Sequence, residues 1–245
     1  MLAQQRKAHL LELLARDGRI VAKDVAVELG LSEDSVRRDL RELADAGLAR
    51  RVYGGALPLA ADEPHFADRT EDPAKERVAE AALALLDPGM TIALDGGTTS
   101  LALARRIPSG TGLTIATPSP HVAVRVAEHS DAEVVLLGGR LGRHSMTSGG
   151  ALALEAIART GADRYLLGAS GVHPEFGVTT DDPDDAAVKR ALARVSRETH
   201  LLAHGEKLGA RARHPVLALD ELASVVVPPA ERAAARTLLG PRLVR

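Results

Sequence analysis

The chain has 245 residues, 45% of them apolar, and a formal net charge of −2, so it can bury a core and is not compositionally disordered. It contains no cysteine, which excludes disulfides, thiolate metal sites and cysteine nucleophiles. Two Tyr, two Phe and no Trp argue against a base-stacking platform for single-stranded nucleic acid. The N-terminal apolar run is broken by Glu12, Arg16 and Asp17, so neither a signal peptide nor a spanning helix is expected, and the expected location is the cytoplasm.

Leu10, Leu11, Leu13 and Leu14 are spaced for a helix over residues 2–15, ending at Asp17-Gly18. Arg19-Ile20-Val21 predicts a short strand. Ala22 to Leu29 predicts a second helix with Val25, Ala26 and Leu29 on one face, followed by a tight turn at Gly30-Leu31. Ser32 is a suitable N-cap for a third helix, and Glu33 and Asp34 suit its positive end. Val36, Leu40 and Leu43 stand at i, i+4 and i+7 and share a buried face. At ~100° per residue, Arg38 and Arg41 fall opposite that face, with Arg37 on its flank. Gly47 ends the helix, residues 48–53 are strand-like, and Gly54-Gly55 turns the chain into Ala56-Leu57.

Residues 1–57 thus read as a winged helix-turn-helix, with the helix-turn-helix at about 20–39 and double-stranded DNA as partner. Arg37, Arg38 and Arg41 are expected at base edges or phosphates, Ser32 and Ser35 at the DNA backbone, and Arg50, Arg51 and Tyr53 in the flanking groove. The alternative for the arginines is a merely solvated helix face. This segment carries ten Lys/Arg against nine Asp/Glu, so bulk charge offers little affinity and paired copies would help.

Residues 58–74, with Pro58, Asp62, Glu63, Pro64, Asp68, Glu71 and Asp72, form an acidic, proline-bearing linker. Beyond it, short apolar strands at 91–94, 113–116, 133–137, 164–169, 199–203 and 224–227 alternate with helices at 74–86, 100–107, 121–129, 151–159 and 184–197. That order predicts a Rossmann-like α/β domain over 75–245, built on a mostly parallel sheet covered on both faces.

Its chemistry concentrates where strands end. Asp95-Gly96-Gly97-Thr98-Thr99-Ser100 is a strand end, a glycine turn and three hydroxyls at a helix start, an arrangement that suits a phosphate. An ordinary capped turn is the competing reading. Three more loops hold the same relative position: Thr117-Pro118-Ser119-Pro120, Gly138-Gly139-Arg140 and Ala169-Ser170-Gly171. Each alone reads as a plain turn; together they outline one polar pocket, to which Lys207 would add a point charge. Asp181-Asp182-Pro183-Asp184-Asp185 reads as an acidic helix start, the nine histidines show no ligand spacing, and neither metal nor cofactor is expected.

These residues resemble the DeoR family of transcriptional regulators along nearly the whole chain. Residues 32–40 (Ser-Glu-Asp-Ser-Val-Arg-Arg-Asp-Leu) resemble its signature, and Arg50 to Ala56 its wing. Phe66, Arg69, Lys75, Asp95-Gly-Gly-Thr-Thr, Gly138-Gly139, residues 177–180 (Gly-Val-Thr-Thr), residues 187–190 (Ala-Val-Lys-Arg) and Lys207 continue the match. The resemblance implies a sensor domain similar to ribose-5-phosphate isomerase, binding a phosphorylated sugar or related metabolite. It further implies repression of sugar-utilisation genes and a homo-oligomer, a dimer or tetramer. The chain departs from the family pattern at Ser35 (threonine), Tyr53 (histidine), Pro118 (asparagine) and His204 (aspartate). An alternative remains open: a sugar-phosphate isomerase or deaminase with an accessory DNA-binding domain, which requires a carboxylate base and a cation, Asp95 and Lys207, to meet.

Overall fold

The computed structural model describes residues 3–17, 20–45, 48–52, 54–58, 72–142 and 145–244. The chain divides into two compact units between residues 65 and 66.

The first unit runs α1 (Ala3–Asp17), β1 (Ile20–Val21), α2 (Ala22–Leu29), α3 (Glu33–Asp45), β2 (Ala49–Val52) and β3 (Gly55–Pro58). The strands pair antiparallel in the order β1-β3-β2, with Ile20 opposite Ala56 and Ala49 opposite Pro58. Leu10, Leu13 and Leu14 of α1, Val25 and Ala26 of α2, and Val36, Leu40 and Leu43 of α3 share one core with Ile20, Ala49 and Ala56. Leu11 and Leu29 pack at its rim, being only partly buried. Gly30 closes α2 in the left-handed conformation (φ 63°), donating to the Ala26 and Val27 carbonyls. Ser32 caps α3: its hydroxyl accepts from the Ser35 N–H at 3.2 Å. The linker segment 59–71, with Phe66 and Arg69, lies outside the described residues, as do Tyr53 and the side chains of Arg50 and Arg51.

The second unit holds α4 (Pro73–Ala82), β4 (Thr91–Leu94), α5 (Thr98–Ala104), β5 (Thr114–Thr117), α6 (Pro120–His129) and β6 (Glu133–Leu136). There follow β7 (Arg140–Leu141), β8 (Ser148–Gly149), α7 (Ala151–Ala158), β9 (Ala162–Leu167), β10 (Gly171–His173), β11 (Gly177–Thr180) and α8 (Pro183–Val195). The chain ends with β12 (Ser196–Leu202), β13 (His214–Leu217), β14 (Ser224–Val226) and α9 (Arg232–Leu239). Six strands form a wholly parallel sheet in the order β14-β12-β9-β4-β5-β6.

The central strands β4, β5 and β9 are buried and largely apolar toward their carboxyl ends, where alternate residues feed opposite faces. Ile92, Leu94, Leu166, Leu202 and Val226 pack under Val78 and Ala82 of α4, Leu103 of α5 and Val122 of α6. Their neighbours Ala93, Tyr165, Leu167, Leu201 and Val225 pack under Ile157 of α7, Val188 and Leu192 of α8, and Leu239 of α9. At roughly 1.5–3 kcal/mol per large apolar side chain buried, this two-sided packing supplies the main drive for folding.

The order in which the chain lays down its strands reverses beside β4. The chain steps outward to β5 and β6, then returns through β9 on the other side of β4. The loops after β4 and β9 therefore diverge at one point, where open α/β sheets form a crevice. Two features differ from the sequence expectation. The helix expected at 184–197 stops at Val195, and β12 starts at once from Ser196, paired with Ala162. A second sheet, β10-β11-β13, pairs antiparallel and packs Val172, Val178 and Leu217 into the core. Its short strands carry no periodicity that separates them from loops.

Candidate functional site

The loops at the reversal enclose a cleft of about 330 Å³. Gly96, Gly97, Thr98 and Thr99 line it from the β4–α5 loop, and Gly168, Ala169 and Ser170 from the end of β9. Thr180, Asp185, Lys189, His204, Glu206 and Lys207 form the opposite wall, with Lys75 of α4 and with Ser145 and Thr147 of the loop before β8. Both glycines are required. Gly97 sits at φ 92°, and a Cβ on Gly96 would stand 1.9 Å from Cγ2 of Thr147. The first N–H groups of α5 behind them have no intrahelical acceptor.

Asp95 lies beneath the cleft rather than in its lining. Its carboxylate is fully buried and accepts from the Gly96 N–H and the Gly168 N–H, each at 2.8 Å. Lys189 Nζ completes the set as a buried ion pair with the same carboxylate. Lys189 also stands 3.4 Å from Asp185 Oδ1, and Asp185 Oδ2 accepts from the Thr180 hydroxyl at 2.7 Å. Burial pushes the Asp95 carboxyl up from its ordinary range, against the pull of Lys189; the two carboxylates hold the Lys189 ammonium above its own. One carboxylate thereby ties the β4 loop, the β9 loop and α8 into a single frame. The pair Asp95–Lys207, which an isomerase or deaminase would use, does not form, because Lys189 and two backbone amides take the Asp95 oxygens.

Lys207 faces the cleft from the turn after β12. Burial, reinforced by the charges of Lys189 and Lys75, draws its ammonium down to about 8. The segment that carries it is fixed by two hydrogen bonds: Gly209 N–H to the Val172 carbonyl, 2.8 Å, and Ala212 N–H to the Thr179 side-chain hydroxyl, 2.8 Å.

Of the other residues expected in the pocket, Ser100 is buried inside α5. Thr117 and Ser119 are buried in the β5–α6 turn, where the Thr117 hydroxyl accepts from Ser119 N–H and Ser119 caps α6. Gly139 packs against Gly149 and Ala153. Arg140 is exposed, pairs with Asp184 at 2.8 Å, and borders a neighbouring cavity of about 350 Å³. Gly171 starts β10, against the backbone of Ala210. None of these six lines the cleft. Conversely, Lys75, Lys189, Thr180, Asp185 and His204 line it without being singled out as pocket residues from spacing. Lys189 carries the one sequence signal that points inward, a cation on the apolar face of α8 between Val188 and Leu192. Among the described residues no group of three His, Cys, Asp or Glu is placed to hold a metal ion, and no helix is long and apolar enough to cross a membrane.

On the first unit, α3 turns Val36, Leu40 and Leu43 inward and leaves Arg37, Arg38 and Arg41 exposed. Arg37 is engaged with Glu33 one turn back, at 2.6 Å. Arg38 and Arg41 make no ion pair among the described residues. Asp39, 3% exposed, is neutralised by Arg6 of α1, which also donates Nη2–H to Asp39 Oδ1 at 3.0 Å. Lys7 pairs with Glu42.

Residues 6–60 match the model of the DeoR-like helix-turn-helix domain, and residues 70–228 that of the DeoR C terminal sensor domain. The chain is 33% identical over 227 residues to the HTH-type transcriptional regulator GlpR of Haloferax volcanii, covering 91% of this chain and 88% of that one. It is 30% identical over 211 residues to the glycerol-3-phosphate regulon repressor of Escherichia coli K12 (85% and 84%), and 28% identical over 229 to the putative aga operon transcriptional repressor of Escherichia coli O157:H7 (91% and 85%). Ribose 5 phosphate isomerase A from Neisseria gonorrhoeae superposes with a TM-score of 0.41 at 19% identity, over 57% of this chain and 55% of that one. A helix-turn-helix with an exposed arginine face, followed by a sensor domain matched over its length, places the function in transcription rather than catalysis: the chain belongs to the DeoR family of DNA-binding transcriptional regulators.

Proposed function

We propose that the protein represses carbohydrate-utilisation genes and is controlled by a phosphorylated sugar or related metabolite bound in the second unit. Residues 1–57 would read operator DNA, 58–74 connect, and 75–245 bind the effector and hold a homo-oligomer together, in the cytoplasm. The observation that carries this reading is the convergence of Lys207, Lys75 and Lys189 on the Gly96–Thr99 loop within one cleft. Cationic side chains facing free helix-start amides and hydroxyls suit an anion with several acceptor oxygens, and the flanking Ser170, Thr180 and Glu206 suit a sugar's hydroxyls. A cleft of about 330 Å³ is of the size that small metabolites occupy.

The DNA face rests on Arg38 and Arg41, exposed opposite the apolar stripe of α3, with Arg37 beside them and Arg50, Arg51 and Tyr53 in the wing. The glycerol-3-phosphate regulon repressor among the relatives suits control by a phosphorylated metabolite. The test is a thermal-shift screen of triose, pentose, hexose and hexosamine phosphates, followed by a gel shift on the promoter DNA that the protein retains. A stabilising phosphate that also alters DNA retention supports the reading. Absence of any shift across the panel removes the sugar-phosphate assignment.

A further inference from the structure

His204 follows β12, is 3% exposed and lines the cleft, yet its Nε2 has no hydrogen-bond partner among the described residues. An unpaired buried polar nitrogen is destabilising, a penalty that a ligand atom placed there would remove. The surroundings decide what charge that atom should carry. From α4 come Lys75 and the helix-capping Asp72; from its own turn, Glu206 and Lys207; from α8, Lys189 beyond Lys207; and Glu231 lies against Gly205. Asp72 is engaged by the Ala74 N–H and by Lys75, and Lys189 by Asp95 and Asp185. Lys207 makes no ion pair among the described residues. The imidazole and Lys207 are thus left together as nitrogen groups facing the cleft.

We propose that His204 donates its Nε2–H to the anionic group of the effector beside Lys207, and so makes the site select a phosphorylated ligand over the uncharged sugar. This rests on the sugar-phosphate reading of the cleft. Burial and the charges of Lys207 and Lys75 hold the imidazole below its ordinary range, so it is neutral in the free protein near pH 7. A phosphate dianion reverses that balance, and binding therefore takes up a proton. The sign follows: affinity rises as pH falls from about 7.5 toward 6.5. It stops rising near pH 6, where a phosphate monoester itself takes a proton.

The experiment is calorimetry on the full chain with the most stabilising sugar phosphate and with inorganic phosphate, at about pH 6.5 and 7.5, in two buffers of different ionisation enthalpy. Wild type should take up a fraction of a proton and bind severalfold more tightly at the lower pH. His204→Gln, which keeps a side-chain N–H but cannot titrate in this range, should bind while losing the His204 share of that uptake, most plainly at the lower pH, where Lys207, held at about 8, is already charged and contributes little. Equal proton uptake in wild type and His204→Gln overturns the inference even if Lys207→Met abolishes binding, and in that case the sugar-phosphate reading stands. Binding of no phosphate by wild type overturns both. If His204→Gln folds poorly, nitrogen NMR of the wild-type histidine decides: a His204 ring that stays neutral in the saturated complex refutes the proposal.

Discussion

Lys189→Met isolates the buried Asp95–Lys189 pair while preserving most of the side chain's volume. In the folded chain it leaves a carboxylate with zero exposure, its two backbone donors at 2.8 Å, and no cation. Removing one partner of a buried ion pair costs about 3–5 kcal/mol. The Gly96 and Gly168 amides remain and still satisfy both oxygens, so the lower end, about 3 kcal/mol, is expected. For a unit of this size that corresponds to roughly a 6–12 °C fall in the second unit's Tm. Asp95→Asn alone also destabilises, because its amide N–H₂ turns a donor toward the Gly168 N–H or the Lys189 ammonium. Combined with Lys189→Met, it removes the stranded charge. The double variant should therefore lose less than the sum of the singles, by about 1–3 kcal/mol of coupling. Urea unfolding of the four proteins, followed by circular dichroism, measures that term. Strictly additive losses, or a Lys189→Met cost below about 1 kcal/mol, would show that the pair behaves like a surface salt bridge and does not hold the cleft's frame.

The cleft lysine Lys207 is held at about 8, below its unfolded value, so the fold disfavours its charge; stability should rise with pH between about 8 and 10.5, and Lys207→Met should stabilise the free protein at pH 7 by roughly 1–3 kcal/mol while abolishing stabilisation by phosphates, both read by thermal shift. Gly96→Ala drives a methyl into Thr147 and should cost about 1–3 kcal/mol together with effector response; Thr147→Ser, which removes Cγ2, should recover most of it, and failure to recover would place the clash elsewhere. Arg38→Ala should weaken operator retention by about 1–3 kcal/mol with helix content unchanged, and an unaltered gel shift at physiological salt would remove Arg38 from the interface. Glu33→Gln should release Arg37 and steepen the salt dependence of DNA binding by about one further phosphate contact, and an unchanged slope would mean that Arg37 does not reach DNA.

The first unit was legible in the sequence because its signals are local. The Val36-Leu40-Leu43 stripe, the Ser32 cap and the Gly30 turn each act within one or two helical turns, and each element stands within about two residues of its expectation. The parallel strands were equally visible as apolar runs between helix starts. What the residues alone could not give is which loops meet. Thr117, Ser119, Gly139 and Gly171 share with Gly96 a place just beyond a strand, but lie packed inward or to one side of the cleft. That depends on which strands meet at the reversal: β4 and β9 flank it, and their end loops line the cleft, while the loops after β5 and β6 pack elsewhere. The antiparallel β10-β11-β13 sheet escaped notice for the same reason. Its pairing of Thr180 with His214 joins positions 34 residues apart, and it places Thr180 at the cleft. Lys189 was hidden by expectation: a lysine on a helix is ordinarily solvated, and only its burial beside Asp95 reveals it.

The charges on α3 are arranged so that the near-neutral first unit still presents a cationic face. Asp39 points inward and is cancelled by Arg6, and Glu42 is cancelled by Lys7. Both compensating cations come from α1, so the helix need spend none of its own arginines there. Glu33 holds Arg37, and Asp34 beside it lies exposed at the positive start of the helix. The free pair on the helix is then Arg38 and Arg41, three residues apart and adjacent on one exposed face. On the proposed role, two cations of α3 per copy, with Arg50 and Arg51 of the expected wing, would neutralise few phosphates, and each phosphate contact steepens the logarithmic salt dependence by only about 0.9. Affinity from a single copy is therefore limited, and a site bound by two copies squares the contribution of each. On the proposed DNA-binding role, a site read by more than one copy would therefore bind more tightly than a site read by one.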